Sequence, residues 1–219
     1  MIATFLLEGI LAVYTFMQYR MSTKTRLIIL LLINLSLFQL AEFLVCTNSS
    51  VATQASRFGY ASITLLPPLG LYLMSELTYP MRKIAALFMF MSAVSIMAYF
   101  LLSPSAFNSY QCTGNYVIFQ IGTSQMRLYS LYYFGLIGLS LWKGARFLTE
   151  HPKAAKKVRS AVRWFIAGYL VFIVPVAVLV VFNPNTKKAV PSIMCGFAVS
   201  LALILTAKVA PYSLKKRTN

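Results

Sequence analysis

The chain has 219 residues, of which 59% are hydrophobic and 11% charged, with a mean hydropathy of +0.73 and a formal net charge of +16. A soluble domain carries about 25% charged residues, so this composition excludes an ordinary globule, a disordered tail and a disulfide-stapled secreted module. About 20 apolar residues cross a bilayer as one helix; seven such helices use roughly 140–150 residues and leave no room for a soluble domain of about 100.

The apolar runs predict seven membrane-spanning helices, over about residues 2–19, 27–46, 59–78, 83–102, 127–147, 161–182 and 191–210. The expected fold class is all-α: a polytopic membrane protein forming one seven-helix bundle. Of the 20 Lys and Arg, 16 fall in or beside the first, third and fifth connections and the C-terminal end. Arg57, Arg127, Lys187 and Lys188 lie on the other side. Basic residues concentrate in cytoplasmic loops, so the N-terminus is expected outside and the C-terminus inside. The first run is preceded by no basic residue and followed by Arg20, Lys24 and Arg26, the reverse of a cleavable signal peptide.

Along the chain, the first segment contains Glu8, expected as an interfacial carboxylate near the N-terminus. The second carries Ser36, Gln39, Glu42 and Cys46 at spacings of three and four, one helical face. An ionisable residue inside a span is costly and points to function, so Glu42 is a candidate ligand-binding residue, with Arg57 or Arg127 as possible ion-pair partners. The third segment has Pro67-Pro68 near its middle, flanked by Tyr60, Thr64 and Gly70. Proline removes an amide donor and frees carbonyls, so this helix is expected to be irregular and to line a cavity. Glu76, near its inner end, is expected to pair with Arg82 or Lys83.

The outer loop, about 103–126, is rich in turn formers. Its Cys112 and the Cys46 of the second helix share the expected outer side and form a possible disulfide if that compartment is oxidising. Tyr129, Tyr132 and Tyr133 follow at i, i+3 and i+4 in the fifth segment, as an interfacial belt or a pocket-lining face. The basic inner stretch 148–163 is expected to meet anionic lipid or a cytoplasmic protein. No basic stretch sits on a soluble fold, so nucleic-acid binding is not expected.

The remaining chemistry is thin. His151 is the only histidine, which argues against paired axial haem ligands, a helical zinc site or a Ser-His hydrolase. Lys208 stands at the inner end of the last segment, where snorkelling accounts for it. No glycine-rich phosphate loop occurs. The chain is therefore expected to be no enzyme, with no metal and no cofactor.

Two stretches carry a family resemblance. Gln39-Leu-Ala-Glu42 resembles the polar tip of helix two in the seven-helix sensor region at the N-terminus of some bacterial histidine kinases. Arg57-Phe-Gly-Tyr-Ala-Ser-Ile-Thr-Leu-Leu-Pro-Pro-Leu-Gly-Leu-Tyr-Leu resembles its third helix, which has a mid-helix proline. The resemblance implies a membrane sensor in a bacterial inner membrane, whose bundle receives an external or intramembrane signal. No dimerisation helix, phosphoacceptor histidine or ATPase domain follows in these residues, so it also implies an output supplied by a partner. The expected function is a non-catalytic sensor or receptor-like protein. It would bind a small molecule or lipid in an outward cavity lined by Gln39, Glu42, Tyr60, Thr64, Pro67, Tyr129, Tyr132 and Tyr133. A small channel or transporter using the same polar face is the alternative.

Overall fold

The computed structural model describes residues 1–47, 50–103, 106, 109–112, 117–182 and 190–217. Of the described residues, 84% are helical. The helices are α1 (Ile2–Gln18), α2 (Thr23–Thr47), α3 (Ala52–Thr64), α4 (Leu66–Leu77), α5 (Lys83–Leu102), α6 (Thr123–Glu150), α7 (Lys156–Phe182), α8 (Val190–Ile204) and α9 (Ala210–Ser213). A π-helical turn, Leu205–Val209, joins α8 to α9 just before Pro211. Among the described residues four helical stretches are long and apolar enough to cross a membrane: Thr23–Thr47, Lys83–Leu102, Lys156–Leu179 and Gly196–Ser213. This is a membrane protein, because such runs have no stable place in water.

Each expected apolar segment is helical, and most helices run past the apolar stretch. α6 covers Thr123–Glu150 where 127–147 is expected. A helix end leaving lipid keeps its hydrogen-bond ladder and loses only the requirement for apolar side chains. The third segment is where the chain departs from a continuous rod. It divides at Leu65 into α3 and α4, because Pro67 and Pro68 offer no amide to the carbonyls of Ile63 and Thr64.

α1 packs on α2, α2 on α3 and α4, α3 on α5, α4 on α6, and α7 on α6 and α8. The core holds Ile28, Leu32, Leu35, Phe38, Leu73, Met74, Ile137, Phe165 and Leu205, all sealed from solvent. At Gly59 a methyl group would stand 2.9 Å from Ala41 Cβ, so only glycine lets α3 lie this close to α2.

The fold is all-α as expected, with one small addition. Part of the loop between α5 and α6 is an antiparallel hairpin of β1 (Ser109–Cys112) and β2 (Val117–Gln120), with Tyr110 opposite Phe119 and Cys112 opposite Val117. Val117 and Phe119, two residues apart, point to the same face and are buried at 0% and 1% exposure. Cys46 and Cys112 form a disulfide with a Cα–Cα distance of 5.8 Å, tying the hairpin to the end of α2. At the opposite end of the bundle, residues after α9 dock beside the α1–α2 turn. Arg20 N–H donates to Lys215 O at 3.0 Å and Arg217 N–H to Gln18 O at 2.9 Å. Lys187 and Lys188 lie outside the described residues.

Candidate aromatic site at the hairpin end

The candidate residues gather around the break in the third segment. Pro68 deprives the Thr64 carbonyl of its helical donor, and the Tyr132 hydroxyl of α6 donates to that carbonyl at 2.8 Å. A side chain from another helix thus satisfies the backbone group that the proline frees. The Thr64 hydroxyl donates within its own helix to Tyr60 O at 2.6 Å and lies 3.4 Å from the Tyr129 hydroxyl. Tyr129, Tyr132 and Tyr133 therefore turn toward α3 and α4 as a group, and Tyr129 and Tyr133 are buried. An interfacial belt would leave such rings exposed.

Tyr60 is the hub, only 1% exposed. Its ring centroid is 4.9 Å from Phe100 of α5, 5.2 Å from Phe119 of β2 and 5.8 Å from Tyr129. Phe119 also reaches Phe38 of α2 at 6.3 Å. These are tilted and edge-on arrangements, which the ring quadrupole favours. Phe119 sits over the cluster from the hairpin, and the disulfide holds the hairpin in place. The space expected to open outward is closed in this structure and filled with rings.

Deeper in the bundle, Pro67, Tyr133, Ile137, Tyr169 and Leu201 line an apolar crevice with room for about one water molecule. Tyr169 of α7 also abuts Gly70, where a methyl group would stand 1.6 Å from the phenol oxygen. Closer to the basic end, Lys143 Nζ donates to Ser75 Oγ at 2.8 Å, joining α6 to α4.

Gln39 and Glu42 lie on the buried face of α2, at 3% and 2% exposure. The Thr4 hydroxyl stands 2.9 Å from Gln39 Oε1, so Gln39 faces α1. Arg57 turns its guanidinium to Leu101 O at 3.5 Å, and Arg127 is exposed. Among the described contacts neither arginine is brought to Glu42. Glu76 is half-buried and forms no ion pair with Arg82 or Lys83 among the described residues; both cations point to solvent. Glu8 departs furthest from expectation: it is sealed inside the protein at 0% exposure, not interfacial.

A second cluster closes the basic end. The Tyr79 hydroxyl donates to Glu150 Oε2 at 2.8 Å and lies 2.8 Å from His151 Nδ1. Arg146 Nε donates to Glu150 Oε1 at 2.6 Å, and Phe147 stacks on the imidazole at 5.3 Å. The Arg146 hydrogen bond, then that of Tyr79, holds the Glu150 carboxyl below the usual carboxylate range. His151 thus belongs to a surface contact between the α4–α5 turn and the end of α6.

Sequence reasoning missed Phe38, Phe100, Phe119 and Tyr169 as members of the site. For Phe119 a signal exists: Val117 and Phe119 alternate in a β-branched, aromatic run after the turn formers Thr113-Gly114-Asn115. Among the described residues no group of three or more His, Cys, Asp or Glu could hold a metal ion. No protein-family model, curated protein or solved structure matches this chain.

Proposed function

We propose that this protein is a non-catalytic, seven-helix membrane sensor of the bacterial inner membrane, with the hairpin end outside and the basic end in the cytoplasm. Its stimulus is an apolar small molecule or lipid tail bearing a hydrogen-bonding head. The observation that carries the reading is the Tyr132–Thr64 contact. A helix broken at two prolines is held by one phenol from a neighbouring helix, within a ring cluster beneath a disulfide-anchored hairpin. A ligand hydroxyl competing for the Thr64 carbonyl would release α6 from α3. That movement would travel down α6 to the Tyr79–Glu150–His151 contact, beside the basic stretch 148–163 where anionic lipid or a partner protein docks. The narrowness of the crevice below the tyrosines supports a blind site over the continuous path that a channel or transporter needs.

The test is photolabelling in membranes with a diazirine-bearing long-chain alcohol, followed by peptide mapping. Adducts on Tyr60, Tyr129 or Tyr133, suppressed by excess unlabelled alcohol, support the site. Adducts confined to the exposed Leu128, Leu131 and Phe134 face of α6 refute it. Orientation is read separately: an N-terminal tag should be cut by external protease in intact cells and a C-terminal tag protected.

A further inference from the structure

The aromatic site leaves the most deeply buried carboxyl, Glu8, unused. Glu8 is fully enclosed, and neither carboxyl oxygen has a hydrogen-bond partner among the described residues. Its neighbours on the same helical face, Ala12 and Thr15, are also buried, so the side chain lies on the face of α1 that packs on α2 and α8. We propose that Glu8 is a proton-binding site inside the bundle, a carboxyl that takes up and releases a proton through the α1–α2 seam.

Burying an uncompensated charge costs several kcal/mol or more, so a positive partner or donor is required. No neighbouring donor reaches either carboxyl oxygen among the described residues, and the hydroxyls of the α1–α2 seam are committed elsewhere. Ser36 Oγ donates to Phe5 O at 3.0 Å, and Thr15 Oγ1 to Leu11 O at 2.8 Å. Asn34 Nδ2 donates to Leu30 O at 2.8 Å. The single Thr4 proton is shared between Met1 O at 2.5 Å and Gln39 Oε1 at 2.9 Å.

Among the described residues no cation forms an ion pair with Glu8, and the N-terminal amine of α1 itself is seven residues, roughly 10 Å, away. On α2 the ionisable groups are Lys24, Arg26 and Glu42. The Ser36–Phe5 contact sets the level of the two helices, and at 1.5 Å per residue the two cations then lie roughly 10–14 Å away toward the basic end. Glu42 lies roughly 13 Å toward the hairpin end. On α8 the only ionisable side chain is Cys195. A metal ion needs several ligands, and among the described residues no group of three or more His, Cys, Asp or Glu gathers there. An organic amine needs space, yet a methyl group on Gly9 would stand 3.8 Å from Ser36 Oγ, so the two helices touch there. A proton is the remaining cation, and it needs no cavity. Its route is in view: Thr4 is one turn from Glu8 on the same face, and half-buried Met1 and Thr4 lead from the hairpin end to Gln39 and Ser36.

The experiment uses the full chain in sealed, oriented vesicles treated with dicyclohexylcarbodiimide, which adds to protonated carboxyls in apolar surroundings. Mass spectrometry then locates the adduct, with Glu8→Gln identifying the site. The expected result is an adduct on Glu8 whose yield falls about tenfold per pH unit on the alkaline side, governed by the pH at the face where α1 begins. Absence of a Glu8 adduct throughout the pH series overturns the proposal, as does a yield indifferent to pH. Protection by sodium at fixed pH would assign a metal ion and also overturn it. Equal reaction with a water-soluble carbodiimide would show an open site, with the same consequence.

Discussion

Replacing Gly70 by alanine tests the packing at the centre of the bundle. The new methyl group would stand 1.6 Å from the Tyr169 hydroxyl oxygen and 2.9 Å from its Cζ. A carbon and an oxygen need a little over 3 Å, so the phenol must retreat by more than 1 Å. Tyr169 is only 4% exposed and its ring lies 4.9 Å from that of Phe165, so little space receives it. Overpacking of this kind costs about 1–3 kcal/mol, and the better helix propensity of alanine returns up to about 1 kcal/mol. The net loss is up to about 2 kcal/mol, or a fall in Tm of up to roughly 8 °C for a chain of this size. The diagnostic measurement is the same substitution in a Tyr169→Phe background, where the atom at 1.6 Å is gone. There Gly70→Ala should be milder by at least about 1 kcal/mol. Thermal unfolding of the four proteins in one detergent gives the comparison. An equal fall in Tm in both backgrounds would refute the contact.

The Tyr132–Thr64 bond predicts another paired effect: Tyr132→Phe should cost about 1–3 kcal/mol by orphaning a buried carbonyl. In a Pro68→Ala background, where residue 68 regains an N–H for that carbonyl, most of the cost should vanish; an undiminished cost would mean that the phenol is not the cap. Cys46 and Cys112 are 66 positions apart, so removing the crosslink should cost up to about 4 kcal/mol. It should also open the hairpin to limited proteolysis, and unchanged protease resistance would show that packing of Phe119 suffices. Because the Glu150 carboxyl lies below its ordinary value of 4.5, its contact with Arg146 and Tyr79 is fully present above that value. It should be lost only as the pH falls through the lower folded value; a crosslink between the α4–α5 turn and α6 that weakened with rising neutral pH would contradict this sign.

The positions of the helices were legible because lipid imposes a length. A segment that cannot hydrogen-bond to its solvent must be helical and apolar for about 20 residues. The break at Leu65 was equally local, since Pro67 and Pro68 remove their amides in any setting. The Ser36–Gln39–Glu42 stripe marked the inward face of α2 because polar residues at helical spacing avoid lipid. Where a segment is apolar all round, however, periodicity carries no direction. Nothing near Glu8 in the sequence distinguishes a sealed carboxyl from an interfacial one, and only the packing of α1 on α2 and α8 decided it. Tyr129, Tyr132 and Tyr133 have the spacing of a face, and both a lipid interface and a pocket select such a face. The docking of α6 on α4 turned it inward, where the freed Thr64 carbonyl needed a donor. The hairpin over Tyr60 depended on pairing across a turn and on a crosslink between positions 66 apart. Hydropathy in a single chain determines which residues leave water; which of them meet is decided by long-range contacts, and those exist only once the helices have packed.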